Sequence, residues 1–325
     1  MFEQSEQFIK ISSKILGQKY DARKLTGGIN NPTYLINNKE ARFVLKKIKT
    51  APTPTFDRYL AEKQFLHLTN TIGVLNTPKL IDFYDSERIL ILEYIEPDNN
   101  LELKNVNVQQ INACIKFLHE VNSKKELSIN LVEQRAAESY LDLNGHLDNI
   151  NSRILNFNTH HLSDDNKNNA NELLILLNNK WEILKDETLN FIEMNPNKNN
   201  IDKSFLIISP SDFGFHNVVI SKGINYFIDF EFSGWDDPAK LYCDFILQPK
   251  IPIPKYFHTL VKHKFLNKIY LAEYKDRIDI LYNLLKFKWY LIKYSFLNKD
   301  KFILNQFNNS NLFKINLKNY LDEIY

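Results

Sequence analysis

Two stretches concentrate acids and oxygen ligands at spacings that chemistry uses. In SPSDFGFHNVVI (209–220), Asp212 and Asn217 stand five residues apart on a loop that precedes a strand-like run. In INYFIDFEFSGWDDP (224–238), Asp229 closes the second strand of an expected hairpin and Glu231 follows two residues later. Moving a phosphoryl group to an alcohol needs an acid to orient and deprotonate the hydroxyl, and oxygen ligands to hold Mg2+ on a triphosphate. Asp212 suits the first task, and Asn217 with Asp229 the second.

Two earlier segments carry complementary chemistry. LTGGINNPTYLI (25–36) joins two candidate strands through paired glycines and asparagines, a turn that lets backbone amides approach a phosphate; the same residues also fit an ordinary hairpin. In RFVLKKI (42–48) the period of two puts Val44 and Lys46 on one sheet face, so the Lys46 ammonium needs a partner there. Glu62 on the following helix is the candidate, in the manner of the lysine–glutamate pair that sets the α and β phosphates in protein kinases; both as surface charges is the plainer alternative.

The elements that must hold these groups follow from periodicity. Strands are expected near 23–26, 33–37, 42–48, 80–84 and 88–94, with one helix over 56–73 after the Pro-broken stretch APTPT. Beyond about residue 96 the pattern turns helical (106–123, 131–156, 166–195 and 256–325), interrupted by a β island over 204–238. No internal repeat or Gly/Ser linker divides the chain. Its 325 residues carry 41 Lys plus Arg against 39 Asp plus Glu, a balance that excludes a nucleic-acid grip built on basicity. The two cysteines, Cys114 and Cys243, make neither a disulfide framework nor a zinc site and read as buried apolar residues in a reducing compartment. The longest apolar runs are strand-sized, so neither a membrane span nor export is expected, and the cytoplasm is the expected location.

The order of Gly-rich loop, strand lysine, helix glutamate, D-x-x-x-x-N and I-D-F-E resembles the aminoglycoside phosphotransferase and choline kinase superfamily, over about residues 20–300. The resemblance implies an α+β bilobal protein-kinase-like fold: a small N-terminal antiparallel sheet lobe (1–95) that binds nucleotide, and a larger, mostly helical lobe (96–325) for catalysis and the acceptor. It implies ATP and Mg2+ as cofactors and a hydroxyl-bearing small molecule as acceptor. Asp212 becomes the catalytic base, and Asn217 and Asp229 the metal ligands, with Glu231 as a second acid that reaches a second metal. Lys46 and Glu62 become the phosphate-positioning pair, Gly28 and Asn31 part of the G-G-x-x-N loop, and the backbone from Glu93 to Ile95 the adenine hinge.

One departure stands out: the family's H-G-D-x-x-x-x-N has Pro210 and Ser211 in place of His and Gly. That substitution motivates an alternative of another class, a nucleotide-binding pseudokinase that regulates a partner protein. His216 reads either as an acceptor contact or as a packing residue, and Asp244 as a structural brace. Trp235, Asp236 and Asp237 read as acceptor contacts or as a helix N-terminus opened by Pro238. In 286–296, Trp289, Ile292 and Phe296 read as a buried helical stripe rather than a cation box. Residues 245–325 carry fourteen Lys and Arg against six Asp and Glu, which ranks a sugar, amino-sugar or amino-alcohol above a polycationic aminoglycoside.

Overall fold

The computed structural model describes residues 21–25, 31–37, 41–50, 56–98, 106–160, 162, 164–248, 250–268 and 275–297. The chain divides into two compact units, residues 1–139 with 205–272, and residues 140–204 with 273–325. In chain order the first unit opens with β1 (Asp21–Lys24), β2 (Thr33–Asn37), β3 (Arg42–Lys47), α1 (Arg58–Ile72), β4 (Leu80–Tyr84), β5 (Ile89–Glu93), α2 (Val108–Val121) and α3 (Lys125–Leu131). The second unit contributes α4 (Leu143–Leu155), α5 (Asp164–Met194) and α6 (Pro196–Asn199). The chain then returns to the first unit with β6 (Ile207–Ser209), β7 (Val218–Ser221), β8 (Ile224–Phe227), β9 (Gly234–Asp236), α7 (Pro238–Leu247) and α8 (His258–Lys268), and α9 (Lys275–Lys293) completes the second.

β1 to β5 form one antiparallel sheet in the order β1-β2-β3-β5-β4. Alternation sends Tyr34, Ile36, Leu45, Ile89 and Ile91 to one face as a buried cluster. Lys46, paired in register with Thr33 and Leu90, therefore faces the other way. Helix α1 is fixed at both ends: Asp57 accepts from the amides of Tyr59 and Leu60, and Gly73, at φ 84, closes the C-terminus by donating to the Thr69 carbonyl.

Three expectations needed correction. β1 begins two residues earlier than its expected span. Residues 131–156 are not one helix: after α3 the chain spends its backbone hydrogen bonds on the segment around Trp235, Ala136 donating to the Trp235 carbonyl and Ala137 to the Phe232 carbonyl, and helix resumes only at the Asp142 cap. Gly234 makes that approach possible, because a Cβ there would lie 2.5 Å from the Ala136 nitrogen. The short strand β9, paired with β6, has no β-branched residue to announce it.

In the second unit, α9 buries Leu281, Leu284, Leu285, Phe287 and Leu291, with Trp289 and Ile292 of the expected stripe partly buried and the Phe296 side chain outside the described residues. Phe287 stacks on Trp181 of α5 at 5.9 Å. Arg277 is fully buried there and donates to the carbonyls of Leu141, Lys198 and Asn199. Both cysteines are buried and neither is in a disulfide among the described residues. Among the described residues no helix is long and apolar enough to cross a membrane.

Candidate active site

Lys46 projects from β3 toward α1, where Glu62 sits one turn inside the helix. Its Nζ donates to Glu62 Oε2 at 2.7 Å and to Asp229 Oδ1 at 2.5 Å. Lys46 and Glu62 are 8% and 1% exposed, whereas the Asp229 side chain is 44% exposed. Burial works against the Lys46 charge, but Glu62, Asp229 and Glu231 together outweigh it and hold the ammonium above its ordinary pKa. Burial is also the main influence on Glu62, and with Asp229 and Glu231 nearby its carboxyl is pushed up to about 7 in spite of Lys46.

Asp229 lies two residues past the end of β8, with φ at 68°, a left-handed conformation that a non-glycine residue holds only when its surroundings enforce it. The enforcement is aromatic. Phe230 is 1% exposed and stacks on Phe65 of α1 at 4.3 Å; Phe227 stacks on Phe117 of α2 at 4.2 Å, and Phe213 packs against both Phe117 and Phe227. A single run of rings thus underlies Asp229 and the Asp212 loop.

Asp212 follows β6, with its side chain 36% exposed. Asn217 Nδ2 donates to the Asp212 backbone carbonyl at 3.0 Å, closing the loop across the five-residue spacing. His216 Nε2 lies 3.3 Å from Asp212 Oδ1, and its buried Nδ1 has no hydrogen-bond partner. The histidine is therefore beside the acid rather than elsewhere in the loop. The hairpin β7–β8 turns at Lys222 and Gly223, both at positive φ, which is the geometry that joins two strands through two residues.

Glu231 is 1% exposed and committed to neighbours: Asn31 Nδ2 donates to its Oε2, and Arg58 Nη1 lies 3.6 Å from its Oε1. Asn31 Oδ1 in turn accepts from the Lys49 amide. The structure thus joins Lys46, Glu62, Asp229, Glu231 and Asn31 in one network. Glu93 ends β5, its amide donating to the Lys79 carbonyl, and Ile95 follows beyond the strand. Gly28 lies outside the described residues. Asp237 caps α7 by accepting from the Ala239 amide and Pro238 opens the helix, so that segment forms a helix N-terminus.

Sequence reasoning missed Arg58, which also stacks over the Phe232 ring at 4.7 Å, and Lys240, which is 1% exposed and bonded to both Asp236 and Asp244. Lys240 had a legible signal, since Asp236, Lys240 and Asp244 are spaced four apart; Arg58 had none, because its partners Glu231 and Phe232 are remote in sequence.

Carboxylate oxygens of Glu62, Asp229 and Glu231 lie within 4.8 Å of one another, a hard-oxygen donor set of the kind Mg2+ takes. Within it Asp229 alone is substantially exposed.

No protein-family model and no curated protein matches this chain. Solved structures do. A choline kinase from Streptococcus pneumoniae is similar over 99% of both chains, with TM-score 0.59 at 15% identity. A choline/ethanolamine kinase family protein from Mesorhizobium loti is similar over 96% of this chain and 90% of that one, with TM-score 0.60 at 12% identity. A spectinomycin phosphotransferase, solved with ADP and spectinomycin, is similar over 95% of this chain and 92% of that one, with TM-score 0.57 at 15% identity. The chain has the α+β, protein-kinase-like fold of those proteins.

Proposed function

We propose that this protein is an ATP-dependent phosphotransferase that moves the γ-phosphate to a hydroxyl of a small molecule. The observation that carries the reading is the joining of Lys46, Glu62 and Asp229, which come from β3, α1 and the loop after β8, through one ammonium. Such a lysine is already oriented for the α and β phosphates. Asp212 accepts the acceptor's hydroxyl proton and aligns its oxygen for in-line attack. Asn217 and Asp229 would hold Mg2+, which supplies charge neutralisation on the phosphates. Glu231, bonded to Asn31 and Arg58, supports the Gly-rich loop side of the site and is a candidate for a second metal. The backbone from Glu93 to Ile95 takes the adenine, and Gly28 belongs to the phosphate loop. In this reading residues 1–95 form the nucleotide lobe and 96–325 the catalytic and acceptor lobe, in the cytoplasm.

The similar solved structures are a choline kinase, a choline/ethanolamine kinase family protein and a spectinomycin phosphotransferase. The Lys and Arg excess over residues 245–325 favours a sugar, amino-sugar or amino-alcohol over a polycationic antibiotic. The test is Mg2+-dependent ADP release across pools of those four classes, with Asp212→Ala beside the wild type. Release confined to one pool, and lowered about 10²- to 10⁴-fold in the variant, supports the reading. ATP raising the melting temperature with no ADP from any pool favours a nucleotide-binding pseudokinase instead.

A further inference from the structure

The residue before the proposed base is held in an unfavourable conformation, and what holds it lies on another element. Ser211 has φ 63, a left-handed conformation that a side-chain-bearing residue seldom adopts. Such a backbone persists only where neighbours over-determine it. Here the Ser211 amide donates to Ser209 Oγ at 2.9 Å, its hydroxyl lies 3.4 Å from the Ala137 carbonyl, and Lys240 Nζ donates to that hydroxyl at 3.3 Å.

Lys240 is an unusual neighbour. It is 1% exposed on α7, and its ammonium also bonds Asp236 Oδ2 at 2.9 Å and Asp244 Oδ2 at 3.2 Å. All three of its donors are thereby used, two on carboxylates one turn to either side and the third on the base loop. Asp236 is itself fully buried and ends β9, the strand paired with β6 from which the loop departs. The flanking carboxylates fix the ammonium in place, so its bond to Ser211 acts from a rigid support. A neutral side chain at position 240 would leave the two buried carboxylates without the cation between them, so the ammonium is costly to replace.

We propose that Lys240 is a positioning residue for phosphoryl transfer: through Ser211 it holds the loop that aims Asp212, doing from α7 a task for which the loop has no His-Gly pair. This rests on the phosphotransferase reading for its catalytic half. Lys240 and Ser211 bond Asp236, Asp244, Ser209 and Ala137 rather than Lys46, Glu62, Asn217 or Asp229, so nucleotide affinity is expected to survive their loss.

The test uses the full chain with Ser211→Ala, Lys240→Met and the double variant. Amide hydrogen exchange is read at Ser211, Phe213 and Asn217, whose donors bond Ser209 Oγ, the Ser211 carbonyl and the Gly214 carbonyl. Turnover is read with Mg·ATP and, one at a time, choline, ethanolamine, glucosamine and spectinomycin. Ser211→Ala is expected to speed exchange at those amides about tenfold while β3 and β5 stay protected, and to lower kcat roughly 10- to 100-fold with KM for ATP unchanged, as for a misaimed catalytic group. Lys240→Met in the Ser211→Ala background should add less to either loop readout than it does in the wild type, because of the three bonds it removes the one to the loop is already gone. Should Lys240→Met not fold, Lys240→Arg takes its place, since it keeps a cation between Asp236 and Asp244 while altering the donor that reaches Ser211. Wild-type exchange in the loop of both variants overturns the proposal, and so does a loosened loop with undiminished kcat. If the wild type releases no ADP with any acceptor, the kinase reading fails, and loop exchange still decides whether Lys240 holds Ser211.

Discussion

The ring of Phe230 lies 4.3 Å from that of Phe65, their planes 23° apart. Phe230 follows Asp229, and Phe65 follows Glu62 by three residues on α1, so this stack couples the two carboxylates that share Lys46. Phe230→Leu keeps an apolar side chain but removes the stack, at a cost of about 1–2 kcal/mol. The urea midpoint should fall accordingly. Because Asp229 loses its backing, the rise in melting temperature on adding Mg·ATP should also shrink. Phe287→Leu, which breaks the stack on Trp181 in the other unit, should cost similar stability and leave the nucleotide effect intact.

Three carboxylates share the Lys46 ammonium and the Arg58 guanidinium, and this imbalance is expected to make stability depend on pH. The Glu62 carboxyl is raised to about 7 from an ordinary 4.5, first by burial. A raised folded value means that the folded chain binds a proton more tightly than the unfolded one, so the contribution is full below pH 4.5 and is lost as pH rises through about 7. Glu62→Gln removes it. The stability difference between wild type and variant, followed by urea denaturation in chelator, should therefore move in the variant's favour between pH 5 and 8. A difference that moves the other way refutes the assignment of that proton to Glu62.

The antiparallel sheet and α1 were legible because their signals are local: alternating β-branched runs, a Pro break and apolar residues at helical spacing. So was the spacing of Asp212, Asn217 and Asp229, which sits on one loop and one hairpin. The fate of each carboxylate was not. Glu231 is buried by Asn31, two hundred residues away in sequence, whereas Asp229 remains partly exposed, and nothing in the letters D-F-E distinguishes them. The break between α3 and α4 was missed for the same reason, since the segment trades helix for bonds to Trp235 and Phe232 about a hundred residues downstream.

Asp98 secures the hairpin that carries Asn217 and Asp229 at its two ends. Its carboxylate accepts from the amides of Lys222 and Gly223, and its own amide donates to the Ile220 carbonyl. The bonds to the two turn amides hold the carboxyl below its usual pKa. Asp98→Ala frees the turn amides, and Lys222 is exposed at the tip. Trypsin should then cut after Lys222 several-fold faster than in the wild type, with the site identified by fragment mass; an equal rate would mean that the hairpin holds its turn without Asp98.

Asp57 does two jobs with one carboxylate, capping α1 and receiving both terminal nitrogens of Arg88, at 2.6 and 3.0 Å. Loss of an Asp cap costs about 0.5–2 kcal/mol, so Asp57→Ala should lower the urea midpoint at pH 7 by a corresponding amount. The Arg88 bond is the main reason that the carboxyl stays below its ordinary value of 3.8, with backbone bonds from α1 adding to it. With the folded value depressed, the contribution is complete above about pH 4 and disappears as pH falls through the folded pKa. The gap between wild type and variant should accordingly be constant from pH 8 to 5 and close toward pH 3. Arg88→Gln removes the pairing and keeps the cap, so it should reproduce the acid-side closure while costing less at neutral pH than Asp57→Ala. Equal losses in both variants at pH 7 would assign the stabilisation to the ion pair, leaving the cap with no measurable share.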